Sequence, residues 1–232
     1  MPFTSITLPA LKNELNIAHV ALDSISDVQQ QTLLKQYRPA EFEAWKPTRQ
    51  SSFLAGRAAV QQWQTKYSKA IFAVPRQSDG SPLWPASWLG SIAHSRTEAV
   101  AVLYYCSSQV SPRSLRGIGI DVESVQQVSM LAGSADLLAR QSEQKLFEDA
   151  GYGKEGALLA IFSIKESIYK AIYPSVKHYV DFLEVKIISI DRRGYWIGQM
   201  CSGLAQELYK SSRISGRLWQ EQEQLYSVCA LL

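Results

Sequence analysis

The stretch Gly117-Ile-Gly-Ile-Asp-Val-Glu123 constrains this chain more than any other. Its alternation reads as a strand. Period two sends Asp121 and Glu123 to one face, with Ile120 and Val122 on the other. Two carboxylates held ~4 Å apart repel by about 4 kcal/mol at a surface-like dielectric. A shared proton, a basic partner or a divalent cation has to offset that cost. All-oxygen donors favour Mg2+ or Mn2+ over zinc. Taken alone, the motif also reads as a solvated strand face.

A helix read over residues 155–173 sharpens the case. At about 100° per residue, Ser163, Glu166, Ser167 and Lys170 fall within a third of the circumference. Ala157, Ala160, Ile161, Ile164, Ile168, Ala171 and Ile172 gather on the far side and are expected to face a core. Phe162, Lys165 and Tyr169 lie on a flank. Glu166 and Lys170, at i and i+4, have the orientation that favours a helix pair. The pair is either an exposed salt bridge or a third metal carboxylate beside a phosphate-binding lysine.

Two further groups carry candidate chemistry. Gly90-Ser-Ile-Ala-His-Ser95 places His94, one of three histidines, just before a strand read at Ala99–Tyr105. A helix read over 48–67 follows Pro47, with Thr48 as its N-cap. It carries Arg49 and Arg57, whose separation advances about 80° net, so they share a broad side. Arginine suits bidentate phosphate contact.

The rest of the chain mixes helices and hairpins. Helices read at 26–38 and 142–150. Strands read at Glu184–Ile190, Tyr195–Met200, Gly216–Trp219 and Leu225–Leu231, with a turn at Asp191–Gly194. Arg76–Pro85, with Asp-Gly and two prolines, is a loop. Ser107–Ser114, with Pro112, is a connector, and the strands on either side of it are expected to pair. The pattern is α+β. A boundary at the connector gives lobes 1–115 and 116–232.

Composition narrows the function. The chain has 232 residues, 46% apolar and 19% charged, enough for a packed core. Lys plus Arg (24) exceed Asp plus Glu (21) by 24 − 21 = 3. That excess makes no basic stripe for nucleic acid and allows only a local anionic site. Three separated cysteines without CxxC argue against a disulfide framework or a cysteine zinc site. No basic segment followed by an apolar core opens the sequence, so no signal peptide is expected. The longest apolar stretch, near Ala99–Cys106, falls short of the ~20 residues that span a bilayer. The expected home is the cytoplasm.

Four pieces in order resemble the 4′-phosphopantetheinyl transferases of the surfactin type, in particular the enterobactin synthase component D branch. They are Phe53-Leu-Ala-Gly-Arg57; Pro82-Leu-Trp-Pro85 with Gly90–Ser95; Gly119-Ile-Asp-Val-Glu123; and Phe162-Ser-Ile-Lys-Glu-Ser-Ile-Tyr-Lys-Ala171. The similarity runs from about residue 40 to the C-terminus. It implies an α+β pseudo-dimer of two similar lobes. It also implies Mg2+-dependent transfer of the phosphopantetheine arm of coenzyme A to a serine of an apo acyl or peptidyl carrier protein, releasing adenosine 3′,5′-bisphosphate. Carried over by residue, Asp121, Glu123 and Glu166 resemble the metal ligands, and Mn2+ is a possible substitute. Lys165 and Lys170 resemble phosphate contacts. Arg49, Arg57 and His94 resemble contacts to the adenosine 3′-phosphate. Glu166 can also take the serine proton, directly or through a water.

Departures touch the nucleotide end. Asp79-Gly-Ser81 stands where the family often has a basic residue, and Arg76 is a candidate replacement. Ala93 precedes the histidine and Ser95 follows it, where Ser or Thr and Cys are common. Two lobes in one chain suggest a monomer. The rival readings are a non-catalytic module that binds coenzyme A or a carrier protein, and another Mg2+ phosphotransfer enzyme on the same scaffold.

Overall fold

The computed structural model describes residues 2–9, 11, 14–68, 70–106, 115–208 and 213–232. The chain divides into two compact units, Met1–Thr7 with Asn13–Val110, and Leu8–Lys12 with Ser111–Leu232. Each is an antiparallel sheet packed on helices, as the α+β reading expects. The connector read at 107–114 lies outside the described residues.

The first unit runs β1 (Phe3–Ile6), β2 (Leu15–Ala21), α1 (Asp27–Tyr37), α2 (Pro47–Tyr67), β3 (Trp88–His94) and β4 (Glu98–Tyr105). Its sheet order is β1-β2-β4-β3. Ser26 caps α1, its hydroxyl accepting from the Gln29 amide at 3.3 Å. The start of α2 differs from expectation. Pro47 occupies the first turn, Lys46 is the cap, and no side chain caps the helix. Proline's fixed φ suits that position and needs no amide partner. Thr48 sits inside the helix, where its carbonyl accepts from Ser52 Oγ at 2.9 Å. One face of α2 packs Leu54, Ala55, Ala58, Ala59, Val60 and Trp63 into a core with Ala99, Ala101 and Leu103 of β4. Strand β3 was not evident in the sequence, because its centre is Gly-Ser-Ile-Ala, short of β-branched residues.

The second unit runs β5 (Gly117–Ser124), α3 (Val128–Leu131), α4 (Ala135–Leu138), α5 (Gln141–Asp149), α6 (Gly153–Val176), β6 (Val185–Ile190), β7 (Tyr195–Met200), α7 (Ser202–Glu207), β8 (Arg213–Glu221) and β9 (Gln224–Leu231). Its sheet order is β5-β9-β8-β7-β6. The expected pairing of β4 with β5 does not occur. β4 lies between β2 and β3, whereas β5 pairs with β9 over its whole length. Alternation identifies a strand but not its partner, and chain adjacency is only a tendency. The turn at Asp191–Gly194 is present: Asp191 Oδ1 accepts from the amides of Arg193 and Tyr195 at 2.8 and 2.9 Å. Every apolar α6 position expected to face the core is buried there. No described helix is long and apolar enough to cross a membrane.

A candidate active site

How closely α6 can lie on β5 sets the site in the second unit. Gly117 and Gly119 share a strand face with Asp121 and Glu123. A Cβ on Gly117 would overlap the Ala171 carbonyl oxygen, and one on Gly119 the Ser167 carbonyl oxygen. Two residues of strand, ~6.6 Å, are therefore matched by four of helix, ~6 Å, in opposite directions. The next step along β5 brings Asp121 toward the turn that carries Ser163 and Glu166. Helical side chains lean toward the N-terminus, so Glu166 and Lys170 reach forward to meet it.

Lys170 Nζ donates to Asp121 Oδ1 at 2.6 Å and lies 4.0 Å from Glu166 Oε2. Asp121 is 3% exposed, and its Oδ2 is buried without a hydrogen-bond partner. Burial, Asp121 and Glu166 push the Glu123 carboxyl up to about 8, against the pull of Lys170. Burial also raises Glu166; Lys170 opposes that rise and Asp121 adds to it. For Lys170, burial favours the neutral amine, but Asp121 and Glu166 outweigh it and the ammonium is held above its usual range. Four ionisable groups thus share one cluster, three acidic and one basic.

This donor set suits a small hard cation. Three carboxylates face a single ammonium, and the orphaned Asp121 Oδ2 lacks the donor or cation a buried oxygen requires. Among the described residues no three His, Cys, Asp or Glu side chains converge tightly enough to form a closed cage. Mg2+ does not require one, because it typically takes one or two carboxylates and completes its shell with water and substrate phosphates.

Ser163 and Ser167, expected beside Glu166 on a polar face, are instead fully buried. Ser227, opposite Asp121 on β9, donates to the Ser163 carbonyl at 2.6 Å and accepts from Ser163 Oγ at 3.1 Å. These hydroxyls pin the helix to the sheet. Lys165 also departs from expectation. Its side chain is 1% exposed and its Nζ lies 3.0 Å from Oε1 of Glu143, which is wholly buried. An ammonium buried in that pair is not presented to solvent or to a ligand, contrary to the expectation from its sequence motif. Glu143 went unnoticed in the sequence. The signal available was its position three residues after Arg140, where its Oε2 accepts the Arg140 amide at the start of α5 at 2.9 Å.

The first unit holds a separate cationic cluster. Arg49 and Arg57 sit over the rings of Trp45 and Phe53, at 4.6 and 4.5 Å from their centroids, and the two rings meet edge to face at 5.4 Å. Arg76 joins from the loop, 5.6 Å from the Trp45 centroid and paired with Glu41 Oε1 at 2.8 Å. Arg57 is 5% exposed, and its Nε is buried without a partner. Burial lowers its pKa to about 10; Tyr37 opposes the fall and the nearby Arg76 charge adds to it. Arg76 also lies against Gly80, whose φ of +91° makes the turn, so a basic group does reach Asp79-Gly-Ser81. Exposed His94 ends β3 on the face of Ile92, which meets Gly56 of α2.

Residues 38–104 match the family model for the 4′-phosphopantetheinyl transferase N-terminal domain, and residues 117–228 match that of the 4′-phosphopantetheinyl transferase superfamily. The chain belongs to this superfamily. It is 32% identical over 146 residues to enterobactin synthase component D of Escherichia coli (strain K12), which covers 62% of this chain and 64% of that protein. It is 32% identical over 124 residues to the protein of that name from Salmonella typhimurium, covering 53% and 48%. The match thus spans less than two thirds of the length of these curated relatives. The holo-[acyl-carrier-protein] synthase structure from Neisseria meningitidis aligns at a TM-score of 0.42 and 24% identity, over 51% of this chain and 99% of that one.

Proposed function

We propose that this chain transfers the 4′-phosphopantetheine arm of coenzyme A to a serine of an apo acyl or peptidyl carrier protein, with adenosine 3′,5′-bisphosphate as the other product. The observation that carries the reading is the cluster of Asp121, Glu123, Glu166 and Lys170, built where α6 meets β5. Kinship with enterobactin synthase component D favours a carrier of siderophore synthesis. Mg2+ held by Asp121, Glu123 and Glu166 would supply charge neutralisation to the diphosphate of coenzyme A. Lys170 adds fixed positive charge where the bridging oxygen of the diphosphate becomes more negative as the anhydride P–O bond breaks and the serine phosphate ester forms. Glu166, its carboxyl raised by burial, is the base that takes the serine proton.

Arg49, Arg57 and His94 receive the 3′-phosphate end, and Arg76 replaces the basic residue missing at Asp79-Gly-Ser81. Guanidinium groups held on aromatic rings are already oriented before they bind phosphate. No disulfide joins the cysteines of the described residues, and a monomer working in a reducing cytoplasm is the state this reading expects.

The direct test is to incubate the protein with coenzyme A, Mg2+ and a panel of apo carriers and weigh the products. The expected result is one phosphopantetheine added to at least one carrier, with adenosine 3′,5′-bisphosphate released. No mass gain across the panel sinks the reading. Tight coenzyme A binding without that gain points to a binding module, and a different nucleotide product to another phosphotransfer enzyme.

A further inference from the structure

The buried pair of Glu143 and Lys165 takes no part in the chemistry proposed above, yet it stands one residue from Glu166. Glu143 is 0% exposed and Lys165 2%. The carboxylate is saturated. Oε1 accepts from the Ile187 amide of β6 at 2.9 Å and lies 3.0 Å from Lys165 Nζ. Oε2 accepts from the Arg140 amide at 2.9 Å and from Lys165 Nζ at 3.1 Å. One side chain thus ties together the start of α5, the second residue after the beginning of β6, and the middle of α6.

Fold stability alone gives little reason for such a pair. Two buried charges lose their hydration, and replacing them with apolar groups of similar size is often neutral or stabilising. Fixed geometry is what a saturated ionic clamp provides and a greasy contact does not. The geometry matters here because Lys165 and Glu166 leave the helix about 100° apart. Lys165 points to α5 and β6, and Glu166 points to the β5 cluster. A 20° rotation of α6 would carry a side-chain end, some 5–6 Å from the axis, through roughly 2 Å. Displacement of a reacting group by even ~1 Å can cost about 10²-fold in rate.

We propose that Glu143 is a positioning residue for Glu166: by clamping Lys165 to α5 and β6, it sets the rotation of α6 that presents Glu166 and Lys170 to Asp121. The inference rests on the transferase reading above and extends it to a residue outside the reacting cluster.

The test compares the full-length wild type with Glu143→Leu/Lys165→Met and with Glu143→Gln. Urea unfolding is measured for each, together with kcat and KM for coenzyme A with an apo peptidyl carrier protein. The double variant is expected to keep the wild-type unfolding midpoint or exceed it, to lose kcat about 10- to 100-fold, and to hold KM within about twofold. Should the double variant fail to fold, Glu143→Gln carries the test with the same split between kcat and KM. Mn2+ binding in the presence of coenzyme A, followed by electron paramagnetic resonance, is expected to weaken in parallel, because a rotated Glu166 is a displaced ligand. A purely structural pair would shift only the midpoint. A folded variant with wild-type kcat and Mn2+ affinity overturns the proposal and leaves the transferase reading intact. A wild type that modifies no carrier overturns both.

Discussion

Lys170 Nζ and Asp121 Oδ1 sit 2.6 Å apart, joining the middle of a long helix to the edge strand of its sheet through the most deeply buried acid of the cluster. The ammonium satisfies one oxygen of Asp121 and leaves the other bare. On the function proposed above, the bare oxygen is where a cation would bind and the ammonium is what would meet a diphosphate.

The first prediction concerns the acids. Asp121→Ala and Glu166→Ala are expected to remove about 3–4 kcal/mol of transition-state stabilisation, a loss of 10²- to 10³-fold in kcat. Glu123→Ala is expected to be milder. Steady-state carrier modification measures all three, and wild-type turnover in the Asp121 and Glu166 variants would contradict their assignment.

The second is a pH dependence of stability without metal. Glu123 is held at about 8, above its ordinary 4.5, so the folded state binds its proton more tightly than the unfolded chain does. A raised carboxyl contributes stability that is complete below the ordinary value and disappears as pH climbs through the raised one. In a chelator, the melting temperature is expected to fall from pH ~5 to ~8, and Glu123→Gln to flatten that slope. Adding Mg2+ at the alkaline end is expected to restore the loss. An unchanged slope in the variant would remove Glu123 as its source.

The third tests the close approach of helix and strand. Gly119→Ala drives a Cβ into the Ser167 carbonyl, where backbone on both sides has no room to yield. Overpacking of this kind costs about 1–3 kcal/mol or more, read as a lower urea midpoint. Gly203→Ala, where an added Cβ meets nothing within 4 Å, is the control and is expected to leave the midpoint level or slightly higher.

That glycine step also explains what the sequence could disclose. Asp121, Glu123, Glu166 and Lys170 were legible because two strong periodicities, strand and helix, each placed two of them on one face. Their neighbours were not. Ser163 and Ser167 share the polar arc of the helical wheel, but the wheel does not say that β5 and β9 will cover it. Lys165 falls in a recognised motif, and only the packing of α5 and β6 reveals that it is buried in an ion pair with Glu143. Strand pairing was misread for a similar reason: β9, the partner of β5, lies about 100 residues further along the chain. The arginines were found by residue type, whereas Trp45 and Arg76, which hold and crowd them, come from loops that carry no period.

The fourth prediction follows from that crowding. Arg57 is nearly enclosed, rests on Phe53, and feels the charge of Arg76, so it is held short of a counter-charge that a bound phosphate would provide. Arg57→Lys keeps the charge but loses the planar fork, and Arg49→Ala removes an exposed contact at little risk to folding. Charged hydrogen bonds of this kind are worth about 1.5–3 kcal/mol, or roughly 10- to 100-fold in affinity. Each variant is expected to raise KM for coenzyme A within that range, while KM for 3′-dephospho-coenzyme A stays at the wild-type value. Turnover with both nucleotides isolates the contact, because a general loss of folding would weaken them alike. Equal losses for the two would place the 3′-phosphate away from these arginines.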